Sequence, residues 1–110
     1  MTNSIAIAVG LATWFVPHRE TVGGYPVCAS RTIPKGSLVR VTDTHNGLSV
    51  FCIVDDWGPA KWTKASIDLA PKAFECLNGK EMGKCEVKIE ILKTKHYDNT
   101  TTTPTRRAKD

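Results

Sequence analysis

The sequence predicts an all-β domain with one short helix. Apolar and polar side chains alternate along several short segments, which is the pattern of strands with one buried face. Gly, Pro and Asn residues interrupt the chain between these segments, and apolar residues take a helical spacing over one stretch, 70–77. A chain of 110 residues suits one domain with a modest core.

Five or six strands are predicted along the chain. The first alternates large and small apolar residues, and the last alternates apolar residues with Glu and Lys. Asn46-Gly47 is a strong hairpin signal between two of the strands. Periodicity alone does not choose between a barrel and a sandwich. The predicted strands are residues 5–16, 28–31, 37–43, 48–54, 66–69 and 85–91.

The helix is predicted where Pro71 suits the first turn. Phe74 and Leu77 lie three residues apart, on one face of that helix. Residues 17–27 and 55–59 are rich in Gly and Pro, so we expect a loop and a turn there.

The composition changes after residue 93. Residues 94–110 are rich in Thr, with Asn, Pro and Arg, and have no apolar periodicity, which predicts a disordered basic tail after a folded domain over 1–93. The net charge is +4, of which residues 93–110 contribute +3. The predicted domain is therefore not the basic platform that binds nucleic acid. Apolar and charged contents of 41% and 24% are ordinary for a globular protein.

The four cysteines favour disulfides over a metal site. No Cys-x-x-Cys pair occurs and no histidine lies at zinc-ligand spacing from a cysteine, so we expect neither a metal nor a cofactor. The predicted pairs are Cys28–Cys52 and Cys76–Cys85, which would require an oxidising compartment. The alternative is four reduced, buried thiols.

The apolar segment 5–16 does not have the features of a signal peptide. No Lys or Arg precedes it, no clear cleavage site follows it, and it is too short to span a bilayer. An extracytoplasmic location would then require either a leader that has been removed or another route, such as release during phage lysis.

Six short motifs, in order, resemble the rare lipoprotein A family over about residues 10–92. The resemblance implies a six-stranded double-psi β-barrel, shared with expansins, barwin-like proteins and family 45 glycoside hydrolases. The motifs are Gly10-Leu11-Ala12-Thr13-Trp14-Phe15; His18 with Thr21 and Gly24; Arg31-Thr32-Ile33-Pro34-Lys35-Gly36-Ser37; Val39-Arg40-Val41-Thr42-Asp43 with Asn46-Gly47; Asp56-Trp57-Gly58-Pro59; and Ile67-Asp68-Leu69-Ala70.

The family resemblance implies cleavage of the β-1,4 bond between N-acetylmuramic acid and N-acetylglucosamine. A lytic transglycosylase needs one carboxyl group as acid and base, and the resemblance points to Asp56. The alternative is that Asp56 only hydrogen-bonds backbone amides of its tight turn. Asp68 is either a second catalytic carboxylate or a structural acceptor of backbone N–H groups. The chain departs from the family at Ser30, where a histidine is usual, and at Trp57, where an arginine is usual.

Aromatic and polar residues near these motifs are candidates for glycan binding, because sugar rings stack on aromatic faces. We expect Trp57 and Trp62 at the surface, since they flank a Gly-Pro loop, and Trp14 in the core, since it lies on a strand. The predicted substrate-binding residues are Ser30, Thr32, Tyr25, Trp57, Trp62, His18 and Asp55.

Three functions remain open from the sequence. The first is a peptidoglycan lytic transglycosylase, the second a non-catalytic, expansin-like carbohydrate-binding module, and the third a barwin-like defence or effector protein that acts through protein contacts. We expect peptidoglycan or a related polysaccharide as the partner, a monomer, and no contact with nucleic acid or integral membrane.

Overall fold

The computed structural model describes residues 6–77 and 83–94. Seven strands and one α-helix occur within these ranges. In chain order they are β1 (Ala6–Trp14), β2 (Thr21–Val22), β3 (Tyr25–Ala29), β4 (Leu38–Asp43), β5 (Ser49–Asp56), β6 (Ile67–Leu69), α1 (Pro71–Leu77) and β7 (Cys85–Lys93). A single turn of 3-10 helix, Lys61–Thr63, precedes β6.

Six of the strands close into a barrel. Their order around it is β3-β5-β4-β7-β1-β6, and β6 pairs with β3 to complete the ring. The short strand β2 lies outside this ring, as a partner of β3. Closure leaves few free edges, which is one way in which β proteins avoid edge-to-edge association. The predicted all-β class, six-stranded barrel and single short helix are confirmed.

The core lies inside the barrel, where alternate residues of each strand point. Val39 and Val41 of β4 and Val87 of β7 are fully buried. Helix α1 adds Phe74 and Leu77 to the same cluster, so its predicted apolar face is the face that packs. Fully burying one such side chain contributes about 1.5–3 kcal/mol.

Two connections differ from the sequence prediction. The predicted loop 17–27 contains a small hairpin, in which Thr21 and Val22 pair with Pro26 and Tyr25 around two glycines. The closely spaced Gly and Pro residues predicted a loop here, so the sequence did not indicate these short strands. The predicted hairpin at Asn46-Gly47 is confirmed, although residues 44–48 form a longer connection than a two-residue turn.

Neither predicted disulfide is present, since all four cysteines are free thiols. Cys28 and Cys52 lie on neighbouring strands, and burial raises the pKa of the Cys28 thiol, with a further contribution from Cys52. Cys28 is the register partner of Val54, two residues beyond Cys52, and both cysteines are buried in the core cluster as free thiols.

The two cysteines of the second predicted pair differ in burial. Cys76 lies on the exposed side of α1, whereas Cys85 is buried in the core cluster. Burial raises the pKa of the Cys85 thiol to about 11, with a further contribution from the charge of Asp43. The alternative prediction of buried thiols therefore fits three of the four cysteines.

Three further expectations concern the tail, a membrane span and a metal site. The predicted tail 94–110 lies outside the described residues, except for Thr94. Within residues 6–77 and 83–94, no helix is long and apolar enough to cross a membrane. The same ranges contain no group of three or more His, Cys, Asp or Glu side chains arranged to hold a metal ion.

Candidate functional site

Strand pairing brings two carboxylates into one row across the barrel wall. Thr13 pairs with Asp68 between β1 and β6, Asp68 pairs with Ala29 between β6 and β3, and Ala29 pairs with Asp56 between β3 and β5. Adjacent strands lie about 4.8 Å apart, so the Cα atoms of the two aspartates are about 10 Å apart. We call Thr13, Asp68, Ala29 and Asp56 the carboxylate row.

A shift in strand register puts Asp56 in this row. Cys28 pairs with Val54, but the next residue, Ala29, pairs with Asp56 and skips Asp55. Such a bulge turns a side chain away from the regular alternation of its strand, and bulges occur frequently beside active sites. The backbone N–H of Ser30 then donates to the carbonyl of Asp56 at 3.1 Å.

The carboxylate of Asp56 is half-buried and only partly engaged. Its Oδ1 accepts the backbone N–H of the next residue, Trp57, at 2.8 Å. No hydrogen bond to Oδ2 occurs among the described residues. One oxygen thus supports the turn after β5, and the other remains available to a ligand.

Asp68 lies in a different environment at the other end of the row. The hydroxyl of Thr13 donates to its Oδ1. Burial raises the pKa of the Asp68 carboxyl, while the Thr13 hydrogen bond and the charge of Arg31 act in the opposite direction. The alternative prediction that backbone N–H groups hold Asp68 is wrong, because its described partner is a side-chain hydroxyl from a neighbouring strand.

Arg31 connects the row to the loop after β5. Its guanidinium donates from Nη1 to the carbonyl of Pro59 and lies close enough to Asp68 to affect it electrostatically. Gly58 and Pro59 are buried, and a Cβ added to Gly58 would lie 3.9 Å from that of Ala29. The loop therefore packs against the middle of the carboxylate row.

Ser30, which stands where the family usually has a histidine, stabilises a turn. It is buried, and its Oγ accepts the backbone N–H groups of Thr32 at 3.1 Å and Ile33 at 2.9 Å. The hydroxyl is thus used locally, by the turn over residues 30–33. Thr32, the other predicted hydroxyl, is exposed.

Asp55 is engaged in an ion pair rather than open to a ligand. The Arg19 guanidinium donates from Nε to Oδ2 at 2.9 Å and from Nη2 to Oδ1 at 2.8 Å. This bond lowers the pKa of the Asp55 carboxyl, and the charges of Lys35 and His18 add to the effect. His18 is exposed near this pair. Sequence reasoning missed Arg19, because no local pattern links residues so distant along the chain.

The aromatic candidates differ in exposure. Trp57 and Trp62 are 65% and 84% exposed, which confirms the prediction that both lie at the surface. Tyr25 is also exposed, at the start of β3. The predicted core position of Trp14 is wrong, since 40% of it is exposed. Trp14 is the last residue of β1, so it lies at the end of the barrel rather than inside it.

Comparison with known proteins confirms the resemblance to the rare lipoprotein A family, although no family model matches the chain. Three proteins named endolytic peptidoglycan transglycosylase RlpA are similar. The one from Rickettsia bellii (strain RML369-C) is 44% identical over 64 residues, which cover 58% of this chain and 28% of the relative. Those from Neisseria meningitidis serogroup B (strain MC58) and Pseudomonas aeruginosa (strain PAO1) are 38% and 36% identical over 92 and 91 residues.

These last two matches cover 76% and 74% of this chain, but 38% and 26% of the relatives. The chain thus spans less than two-fifths of the length of the curated relatives it matches. Among solved structures, the crystal structure of cerato-platanin 3 from M. perniciosa superposes with a TM-score of 0.59 at 14% identity. It covers 76% of this chain and 93% of that one, and it shows a shared fold.

Proposed function

We propose that this relative of the RlpA proteins is a peptidoglycan lytic transglycosylase, with Asp56 as acid and base. The observation that carries the proposal is the carboxylate row, in which Asp56 keeps one oxygen available beside the exposed Trp57. The printed name of the sequence relatives supports glycan strands of peptidoglycan as the substrate. A substrate in the cell wall implies an extracytoplasmic location.

The reaction requires a proton at the bond that breaks. The Asp56 carboxyl donates its proton to the glycosidic oxygen, which leaves as the 4-hydroxyl of N-acetylglucosamine. The 6-hydroxyl of the muramyl ring attacks the anomeric carbon and closes a 1,6-anhydro ring. The proton of that hydroxyl returns to the Asp56 carboxylate, so no water is consumed. Because the nucleophile belongs to the substrate, the site does not have to hold a water molecule.

Asp68 is the second carboxyl group of the proposed site. Its raised pKa increases the fraction that carries a proton, which is the form required of an acid. If Asp68 delivers the first proton and Asp56 accepts the second, replacement of either by Asn abolishes cleavage. If Asp56 performs both steps, Asp68→Asn retains activity.

The test is incubation with purified peptidoglycan sacculi, followed by mass spectrometry for anhydro-muropeptides. We expect wild type to release them and Asp56→Asn to lower the rate by about 10²–10⁴-fold, because the amide cannot deliver a proton. Asp55→Asn is the matched control, because Asp55 is next to Asp56 in the chain and its own carboxylate is already paired with Arg19. Absence of products from folded wild type, or full activity of Asp56→Asn, would contradict the proposal.

A non-catalytic glycan-binding module is the second candidate function. The Ser30 hydroxyl, which replaces the usual histidine, accepts two backbone N–H groups and thereby serves the turn. The exposed Trp57, Trp62 and Tyr25 offer stacking surfaces that need no catalysis. Binding to sacculi without release of any product would favour this function, and a barwin-like protein-binding role would follow if sacculi are not bound at all.

A further inference from the structure

A cavity of about 230 Å³ opens next to the carboxylate row. Arg31 links the two, because it lines the cavity and its charge acts on Asp68 of the row. Ser66, on its wall, precedes Asp68 by two residues. The lining residues are Ile7, Ala8, Arg31, Thr32, Ile33, Ser66, Ile89 and Ile91.

The cavity exists because β1 is longer than its partner β6. Pairing with β6 covers residues 12–14 of β1, whereas pairing with β7 covers residues 6–12. Within the described residues, the first half of β1 therefore pairs with β7 alone, and residues of both strands line the cavity. Gly10 lets Ser66 approach the strand, since a Cβ at Gly10 would lie 2.1 Å from the Ser66 Oγ.

The lining combines an apolar wall with a polar rim. Ile33, Ile89 and Ile91 supply branched aliphatic surface, while Arg31 and Thr32 supply hydrogen-bond donors. One described N–H of Arg31 is bonded to Pro59, and a guanidinium has five. A fitting ligand has a small apolar group and a hydrogen-bond acceptor next to it.

We propose that this cavity receives the acetamido group of an N-acetylated amino sugar. The methyl group packs on the isoleucines, and the carbonyl oxygen accepts from both Arg31 and Thr32. The cavity is smaller than the roughly 300–1,000 Å³ of a pocket for a whole drug-sized ligand, so it suits a ring substituent rather than a ring. The inference rests on the proposed function, because it assumes that a glycan lies along the carboxylate row.

The consequence is selectivity among glycans that share a β-1,4 linkage. A sugar with a hydroxyl in place of the acetamido group leaves the isoleucines facing water and forms fewer contacts. Loss of a small apolar group from a fitted pocket weakens binding by about 10–200-fold. We therefore expect tetra-N-acetylchitotetraose to bind at least about tenfold more tightly than cellotetraose, which is neutral and equally long.

The experiment measures binding of both oligosaccharides to the full chain by NMR titration, with Asp56→Asn in parallel so that cleavage plays no part. Ala8→Leu fills the cavity and is expected to remove the preference for the acetylated glycan. Ala8 is exposed, so the larger side chain does not enter a packed core. Val9→Leu is the matched control, on the same strand and exposed but outside the lining, and should keep the preference.

Thr32→Val removes a hydrogen-bond donor without adding bulk, so it should weaken binding of the acetylated glycan and leave binding of cellotetraose unchanged. This variant decides the outcome if Ala8→Leu does not fold. Equal binding of both glycans by wild type would overturn the cavity assignment and leave a glycan-binding function standing. Binding of neither would also overturn it, and release of anhydro-muropeptides from sacculi then decides the proposed function separately.

Discussion

Two aspartates at different places in the barrel have opposite surroundings. Asp43, at the end of β4, is fully buried, and its Oδ1 accepts the backbone N–H groups of His45 at 2.7 Å and Asn46 at 3.2 Å. Asp68, on β6, is half-buried and accepts the hydroxyl of Thr13. The first carboxylate holds a connection in shape, whereas the second lies in a row of residues that reaches Asp56.

The comparison separates structural from available carboxylates. Asp43 fixes the hairpin between β4 and β5, and the side chain of Asn46 then ties that hairpin to the carbonyl of Leu77 at the end of α1 at 2.8 Å. Sequence reasoning offered such a structural role for Asp68, and the structure assigns it to Asp43. Asp43 is fully buried, so its second oxygen cannot reach a ligand, whereas the half-buried Asp68 and Asp56 each keep an oxygen that can.

The largest effect on stability is expected at Asp43. Asp43→Ala removes the acceptor of two part-buried backbone N–H groups, and a donor left unsatisfied costs about 1–3 kcal/mol. We expect the free energy of unfolding to fall by about 3 kcal/mol in urea denaturation. Asp43→Asn keeps an acceptor and should lose less. A loss below about 0.5 kcal/mol for Asp43→Ala would remove the distinction between the two aspartates.

Asp68→Asn should change stability in the opposite direction. Because burial raises its pKa, the neutral carboxyl favours the fold; this contribution is complete below the ordinary value of 3.8 and is lost as the pH rises through the raised pKa. The amide stays neutral at every pH. Thermal unfolding should therefore show the variant level with wild type near pH 3 and more stable than wild type near pH 7. A variant less stable at neutral pH would return Asp68 to a structural role.

Trp57→Ala should affect glycan binding without affecting the fold. Trp57 is exposed next to Asp56, so its loss removes stacking surface and no core contact. We expect affinity for a chito-oligosaccharide to fall by about 1 kcal/mol, roughly fivefold, in a calorimetric titration. Phe51→Ala is the matched control. Phe51 is also an exposed aromatic residue of β5, at 41%, but it stands five residues before Asp56 and its ring lies under Arg40. Equal losses in both variants would mean that binding is not located at the row.

The smallest effect is expected for Arg19→Ala, which breaks the ion pair with Asp55. The pair is largely exposed on the Arg19 side, at 64%, and exposed pairs contribute about 0–1 kcal/mol. The pKa of Asp55 is lowered by Arg19, so this contribution exists above the ordinary pKa and is lost as the pH falls through the lowered one. Chemical denaturation near pH 6 and near pH 2 should show a small difference that disappears at the lower pH.

Much of the fold follows from local signals. The alternation over residues 85–91 predicted β7, and Asn46-Gly47 predicted the hairpin, because side-chain period and turn chemistry are properties of short segments. The pairing of the short strands β2 and β3 was harder to predict, because Gly23 and Gly24 between them indicate a loop as much as a hairpin. Trp14 was predicted to be buried because it lies on a strand, but it is partly exposed because it is the last residue of that strand.

The sequence by itself determined the class of the fold, its helix, and the motifs that contain Asp56 and Asp68, because each of these depends on neighbouring residues. Only the tertiary structure decided that Asp56 and Asp68 lie on either side of Ala29, because that arrangement depends on barrel closure and on the register shift after Cys28. It also decided where the four cysteines lie, none of them paired, because the register of one strand against another is encoded by no short segment.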